Sequence, residues 1–403
     1  MNGPGSMNRV FRVVWNASLG VWQVASEITR SRGKTKSTRA GHGLRSVWSA
    51  VAAGSLLLFG LPGHAGALPT GGEIKSGTGS IASDGTRMNV SQETNKMVVD
   101  WQTFSIGSGN QVHFQQPSAS AAVLNRVLGS QVSVIRGAMT ANGRVFLVNP
   151  AGVVFTAGST VDVGSLVAST LQITDSDFLS GNYRFSGSSG NAVLNQGNIR
   201  TKEGGFVALI AAKIENLGSI QASRGDVLLA AGSRVRLNMG GPVSIEVEAG
   251  AVDALIQNDG AIRADGGTVL LTAEGAGALT SLAINNQGLI EAVGLESGPG
   301  GTIRLAGGSG TTVNSGSIKA SASAGQGGRV EITGARVELR DGSTVDASGA
   351  TGGGTVLVGG DYQGQNADVP NALQTLVESG ARIAADATVS GSGGRVIVWA
   401  DGQ

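Results

Sequence analysis

Cysteine is absent, histidine occurs three times, and aromatic side chains make up only 4% of the 403 residues. Without thiols there are no disulfide staples and no cysteine-based zinc site. His42 and His64 fall within the first 67 residues, so His113 is the one imidazole beyond them. It stands beside Phe114 in a strand-like run, a setting that suits a structural side chain better than the base of a Ser-His-Asp triad. So few aromatics exclude a conventional aromatic-rich core. A transmembrane helix needs roughly 20 apolar residues. The run Val47–Leu61 has 15, interrupted by Ser49, Gly54, Ser55 and Gly60.

What the chain has instead is glycine, 66 residues of it, and a hydrophobic content of 40% drawn mainly from Val, Ile, Leu and Ala. That content is too high for disorder. Small turns between aliphatic strands point to a repetitive β architecture. Charge divides the chain in two. Residues 1–67 hold eight of the 29 Lys/Arg and only Glu27 of the 28 Asp/Glu, a net +7, which leaves the remainder at −6. An acidic body of this kind has no electrostatic footprint for nucleic acid.

The basic segment has the parts of an export signal. Positive charge ends at Arg45, the apolar run follows, Pro62 breaks it, and Ala65-Gly66-Ala67 supplies small residues at the −3 and −1 subsites of a signal peptidase. Cleavage is expected after Ala67. Upstream, Met7-Asn8-Arg9-Val10-Phe11-Arg12-Val13-Val14-Trp15 leads into Leu19-Gly20-Val21-Trp22 and suggests Met7 as the start.

Beyond about Gly190 a template repeats: Asn195-Gln196-Gly197-Asn198-Ile199, then Asn-x-Gly-x-Ile again from Asn216, Asn258, Asn286 and Asn314. The asparagines are 21, 42, 28 and 28 residues apart, and the 42 reads as two 21-residue units with a degenerate middle near Asn238. Weaker copies follow at Asp341–Val345 and Ser379–Ile383. Each unit has a second glycine turn and a strand, as in Gly266-Gly267-Thr268-Val269-Leu270-Leu271. Units of about 20–28 residues without helical periodicity predict an all-β, right-handed parallel β-helix. The Ile positions should stack into an interior column. Glycine should supply corners at positive φ. Asparagine, tolerant of the left-handed region, should form a hydrogen-bonded ladder at the strand spacing of about 4.8 Å. An end coil needs a cap, and Leu68–Ile81 is placed to provide one at the N-terminal end.

Two elements stand out in the stretch before the repeat. Ala122-Val123-Leu124-Asn125-Arg126-Val127 is followed by the strand Arg144–Val148 and the turn Asn149-Pro150-Ala151-Gly152. With Trp101-Gln102-Thr103-Phe104-Ser105-Ile106, they resemble the secretion domain of filamentous-haemagglutinin-type exoproteins, the cargo of bacterial two-partner secretion. The 7–22 segment resembles the extended signal-peptide region of such proteins. Ala151 departs from the more usual Asn of that turn. The resemblance implies an extended signal peptide at 1–67, a secretion domain at about 68–310 with an N-terminal cap, and further β-helix coils at 311–403. Family members usually run on for many more coils, so the chain reads as a short exoprotein or the front of a longer one.

The function so implied is export from a Gram-negative cell. Signal peptidase and the inner-membrane machinery handle the leader, and an outer-membrane β-barrel transporter recognises the chain. Folding outside, coil upon coil, then makes transport one-way, and absence of cysteine fits a chain that crosses the periplasm unfolded. Asn125, Arg126, Asn149, Pro150, Ala151 and Gly152 are the residues expected to matter for recognition. The downstream role implied is adhesion to host or bacterial surfaces, without catalysis, cofactor or metal. Arg224-Gly225-Asp226 spells the tripeptide read by integrins and is a weak adhesive candidate. Two alternatives are a β-helical carbohydrate-active enzyme, which would need acidic clusters on adjacent coils, and a truncated remnant of a larger adhesin or toxin.

Overall fold

The computed structural model describes residues 68–276 and 282–402, with two strands of the leader, Phe11–Asn16 and Val21–Ser26. The expected cleavage residues Ala65 and Ala67 lie outside the described residues. From Arg87 onward the chain winds as a right-handed parallel β-helix with three faces. Face one runs from Lys96–Trp101 through Ala122–Val127, Arg144–Val148 and Phe206–Ala211 to Arg395–Val398. Face two runs from Arg87–Gln92 to Arg382–Ala384, and face three from Ser133–Ile135 to Gln374–Val377.

Stacking therefore begins well before Gly190, where the template becomes visible. On face two Met139 sits between Val112 and Val161. The template isoleucines Ile199, Ile220, Ile262, Ile290 and Ile318 continue the column, each beside its equivalent in the next coil and each buried. Burying each such side chain contributes about 1.5–3 kcal/mol. One coil cannot exclude water from that face, so the repetition is what makes a core.

The asparagine ladder forms on face three. Nδ2 of Asn195 donates to Oδ1 of Asn216 at 2.8 Å, and the same bond links Asn216 to Asn258, Asn258 to Asn286 and Asn286 to Asn314, each at 2.7 Å. Apolar Phe155 precedes the ladder in register and Leu339 follows it. Three expectations need correction. Asn216 bonds Asn258 directly, so their 42-residue separation is a single coil with an inserted hairpin, Arg234–Asn238 and Ser244–Ala249, and Asn238 belongs to the insertion. The ladder asparagines are absent from the positive-φ residues. Gly197, Gly218, Gly260, Gly288 and Gly316 of the template are also absent from them, whereas Gly266 of the second turn and Gly342 of a weaker copy do take positive φ, at +72 and +76. The template glycines are needed for close approach: a Cβ on Gly218 would lie 2.2 Å from the Gly197 carbonyl oxygen, and one on Gly260 would lie 2.1 Å from that of Gly218.

The N-terminal cap is built by reversing direction. Glu73–Ser76 pairs antiparallel with Lys96–Trp101, and Gly79–Ser83 pairs antiparallel with Arg87–Gln92. Leu68, Ile74 and Ile81 pack on the open end of the column.

Two insertions leave the early coils at the corner between faces one and three, and a third, residues 359–373, leaves a late coil at the same corner. The first carries a six-residue helix, Asp175–Ser180, with Thr174 as N-cap and Gly181 as a left-handed C-cap, and then the strand Tyr183–Ser186. That strand joins the later hairpin in a three-stranded antiparallel sheet. Phe178, Tyr183, Phe185, Val235, Leu237 and Ile245 cover the outer side of face one over Val98, Leu124, Phe146, Val167 and Ala208, giving a second apolar core. Phe146 stacks on Tyr183 at 5.4 Å and meets Phe178 edge-on at 5.2 Å.

Candidate functional site

The two elements singled out in the sequence meet at this corner. Strand Ala122–Val127 lies in register with Arg144–Val148, with Asn125 opposite Leu147 and Arg126 opposite Val148. Successive strand residues face opposite sides, so Asn125 and Arg126 part company. Asn125 points into the helix and is fully buried. Its Oδ1 accepts from Trp101 Nε1 at 3.0 Å, and its Nδ2 donates to the Phe146 carbonyl at 3.2 Å. Trp101 in turn packs edge-on against Phe104 at 5.5 Å. The Trp-x-x-Phe element and Asn125 thus form one buried unit in the first coils.

Arg126 points outward, beneath the first insertion. It bonds Asp100 at 2.7 Å and also bonds Asp175 at the start of the short helix. Burial works against its charge, but the hydrogen bond and charge of Asp175, with those of Asp100, outweigh it and hold the guanidinium pKa above its usual value. Lys96 holds the other end of that helix, donating to the Phe178 and Leu179 carbonyls at 2.9 Å each. Burial, helped by Arg144, lowers the Lys96 pKa. Sequence reasoning missed Lys96 because its partners lie more than 80 residues away.

Asn149–Gly152 makes the corner from face one to face three. The Gly152 N–H donates to the Asn149 carbonyl at 3.0 Å, closing the turn expected of this tetrapeptide. Buried Asn149 bolts it down: Nδ2 donates to the Gln131 carbonyl and Ser133 Oγ, both at 2.9 Å, while Oδ1 accepts from the Ala151 N–H at 2.9 Å. Gly152 adopts φ +123, where a side chain would be strained. On the far side the Pro150 carbonyl accepts from Ser189 Oγ at 2.7 Å and Asn191 Nδ2 at 2.8 Å.

Arg126, Pro150 and Ala151 line one open groove of about 1210 Å³, with Leu128 and Ser130 of the preceding corner, Thr174 and Asp175 of the first insertion, and Arg184, Arg234 and Arg236 of the added sheet. Asn125 and Asn149 do not line it. They fix its floor from below. Among the described residues no cluster of three or more His, Asp or Glu could hold a metal. His113 Nδ1 pairs with Thr140 Oγ1 at 2.8 Å, away from the groove.

The integrin-like tripeptide lies elsewhere. Arg224, at φ +50, is exposed and paired with Glu203 at 2.7 Å and Glu296 at 3.3 Å. Gly225 is buried at the glycine corner, and Asp226 accepts from the Thr268 N–H at 3.0 Å. Burial raises the Asp226 pKa despite that bond.

A long parallel β-helix, antiparallel at its capped end and carrying an extra-helical layer over its first coils, defines a class of exported β-solenoids. The chain belongs to the TPS secretion domain family, whose model matches residues 65–320. The Extended Signal Peptide of Type V secretion system matches residues 7–56. Two Heme/hemopexin-binding proteins of Haemophilus influenzae are 34% identical over 52% of this chain and 30% identical over 51%. The chain spans 24% of each of these relatives. The HMW1 secretion domain from Haemophilus influenzae superposes with a TM-score of 0.75 at 29% identity, over 83% of this chain and 87% of that one. The protein is an exoprotein of two-partner secretion, exported across the Gram-negative envelope to the surface or the medium through an outer-membrane transporter. The family is a secretion domain and is not known for enzymes.

Proposed function

We propose that the transporter recognises the segments Ala122–Val127 and Asn149–Gly152 while the chain is unfolded, and that the corner they then build seeds folding outside the cell. Asn125 and Asn149 act by fixing that corner once it forms, while Arg126, Pro150 and Ala151 are offered to the transporter before it forms. The observation that carries this reading is convergence. Elements 24 residues apart in sequence share one open surface, and two insertions leave the helix at that same corner to wall it. The parallel edge left by each completed coil templates the next, and the cap on the first coil gives growth one direction. Adhesion at the cell surface, without catalysis, is the role proposed for the chain once released.

The test is release of processed protein into the medium, with and without the cognate transporter. Release should depend on the transporter and should be lost when residues 149–152 are deleted or with Asn149→Ala. Equal release without the transporter, or undiminished release after the deletion, would sink the reading.

A further inference from the structure

Coils of three different lengths close on one set of bonds. Asn216 follows Asn195 by 21 residues, Asn258 follows Asn216 by 42, and Asn286 follows Asn258 by 28. At each step the earlier asparagine carbonyl accepts two N–H groups of the next corner. Asn195 takes those of Leu217 and Gly218 at 2.7 and 3.0 Å, Asn216 those of Asp259 and Gly260 at 2.9 Å each, and Asn258 those of Gln287 and Gly288 at 2.8 and 2.9 Å. The earlier glycine carbonyl takes a third, from Ser219, Ala261 and Leu289 in turn, each at 2.9 Å. The amides point one way: Asn195 Oδ1 accepts from the Gly197 N–H at 3.1 Å, which turns Nδ2 toward the next coil. Gly288 and Gly316 have no room for a side chain, since a Cβ on either would lie 2.1 Å from the carbonyl oxygen below. The length of chain between two corners therefore does not decide where a coil closes.

One segment shows what the corner passes over. Asn238-Met239-Gly240 repeats the Asn-x-Gly spelling within one coil's length of Asn216, yet it sits at the tip of the inserted hairpin with Asn238 exposed. Its flanks differ from those of the ladder. Two residues before each ladder asparagine stands buried Val193, Ile214, Ile256, Ile284 or Thr312, and four residues after it stands a buried Ile. Around Asn238 those two places hold Arg236 and Pro242. An inward arginine would bury an unpaired charge. Proline has no N–H to give a central strand.

We infer that the open corner of each finished coil is a binding surface whose ligand is an unfolded segment of this chain spelled apolar-x-Asn-x-Gly-x-Ile. The inference rests on the seeded-growth part of the reading above and names what the growing edge selects. The corner offers two carbonyls and one amide donor. The segment supplies one amide oxygen, three N–H groups, a glycine that fits against the carbonyl, and two apolar side chains for the columns of faces three and two. Selection by this element lets a coil carry an insertion such as the hairpin without losing register.

The experiment completes the spelling at Asn238 in the full secreted chain. In the double variant Arg236→Ile/Pro242→Ile, Asn238 becomes a rival for the corner of Asn216. Two triple variants add Asn238→Ala or Gly240→Ala. Asn238 is exposed and a Cβ on Gly240 meets nothing within 4 Å, so neither addition disturbs the native hairpin. Protection of Leu255–Asn258 and Ala261–Arg263 is followed by pulsed hydrogen exchange during refolding from denaturant. The parent and both triple variants should gain it in one phase. The double variant should show a slow phase of about half the amplitude, because two matched segments compete for one corner and the wrong one must leave before growth resumes. Absence of a slow phase in the double variant, its survival in either triple variant, or failure of all three to fold would each overturn the inference. If the parent protects Arg382–Ala384 before Arg87–Gln92, seeded growth itself fails. If the parent grows from the capped end and the double variant refolds as it does, only the selection by the corner fails.

Discussion

Face one is two different structures along its length. At Phe206–Ala211 all six residues are buried, because the helix interior covers one side and the added layer the other. At Thr268–Ala273 and Thr302–Ala306 burial alternates residue by residue, with one side in the core and the other toward water. The outward positions follow suit: Leu124, Phe146 and Val167 in the early coils, Arg304 and Glu331 as an ion pair in the later ones. A parallel strand buried on both faces reads as a continuous apolar run, and one buried on a single face alternates. The early coils are thereby suited to fold first and hold shape as a seed, and the later coils to be added on a finished edge.

The strongest test of that contrast is a pair of truncations at outward positions. Phe146→Ala should cost about 3–5 kcal/mol, since it removes ring contacts with both Phe178 and Tyr183. Arg304→Ala, at the outward side of a later coil, should cost less, about 1–2 kcal/mol, because Arg329 still pairs with the buried Glu331 carboxylate. Denaturant unfolding of the two variants checks both values.

Breaking the ladder comes next. Asn258→Ala leaves Nδ2 of Asn216 with only a long 3.5 Å bond to the Ala261 carbonyl and leaves buried Oδ1 of Asn286 without its partner. A loss of about 2–4 kcal/mol is expected, with hydrogen exchange accelerating in the coils on either side of 258 and much less in the capped first coil.

Arg126→Gln should cost about 1.5–3 kcal/mol by removing charged hydrogen bonds to Asp100 and Asp175. Its signature is local: exchange should rise across Asp175–Ser186 while Arg144–Val148 stays protected by its strand neighbours. Equal loss of protection in both segments would contradict the role of Arg126 as a latch on the added layer.

The smallest effect concerns Asp226. Burial raises its pKa, so the folded chain binds this proton more tightly than the unfolded chain, and the charge costs stability at neutral pH. Asp226→Asn should therefore stabilise by about 0.5 kcal/mol at pH 7. The gain should shrink as pH falls through the folded pKa, and melting curves across that range would show it.

Much of this architecture was legible in the sequence. The Asn-x-Gly-x-Ile template marked one coil corner and one core column because those positions repeat the same contact in each coil. The first coils carry Met88, Val112, Met139 and Val161 in that column with no asparagine signature, so stacking before Gly190 stayed hidden. The inserted hairpin was mistaken for a repeat unit because its length is near that of a coil. A signal existed: Phe206-Val207-Ala208-Leu209-Ile210-Ala211-Ala212 has no alternation and so announces burial on both sides. At the site, the paired elements were found but their division of labour was not. Strand alternation turns Asn125 inward and Arg126 outward, and Arg184, Arg234 and Arg236 of the added sheet come from segments that meet only when the chain is folded.

The measurement that bears most directly on the central claim is transporter-dependent release of an Ala151→Glu variant. Ala151 lines the groove, and apart from its backbone N–H bond to Asn149 it supports nothing, so the change should leave the fold and its melting temperature intact. If the Asn149–Gly152 segment is what the transporter reads, this variant folds normally in vitro yet is retained by cells that carry the transporter. Release at the parent level, with only the fold-breaking Asn149 changes blocking secretion, would mean that the corner serves folding and that recognition lies elsewhere.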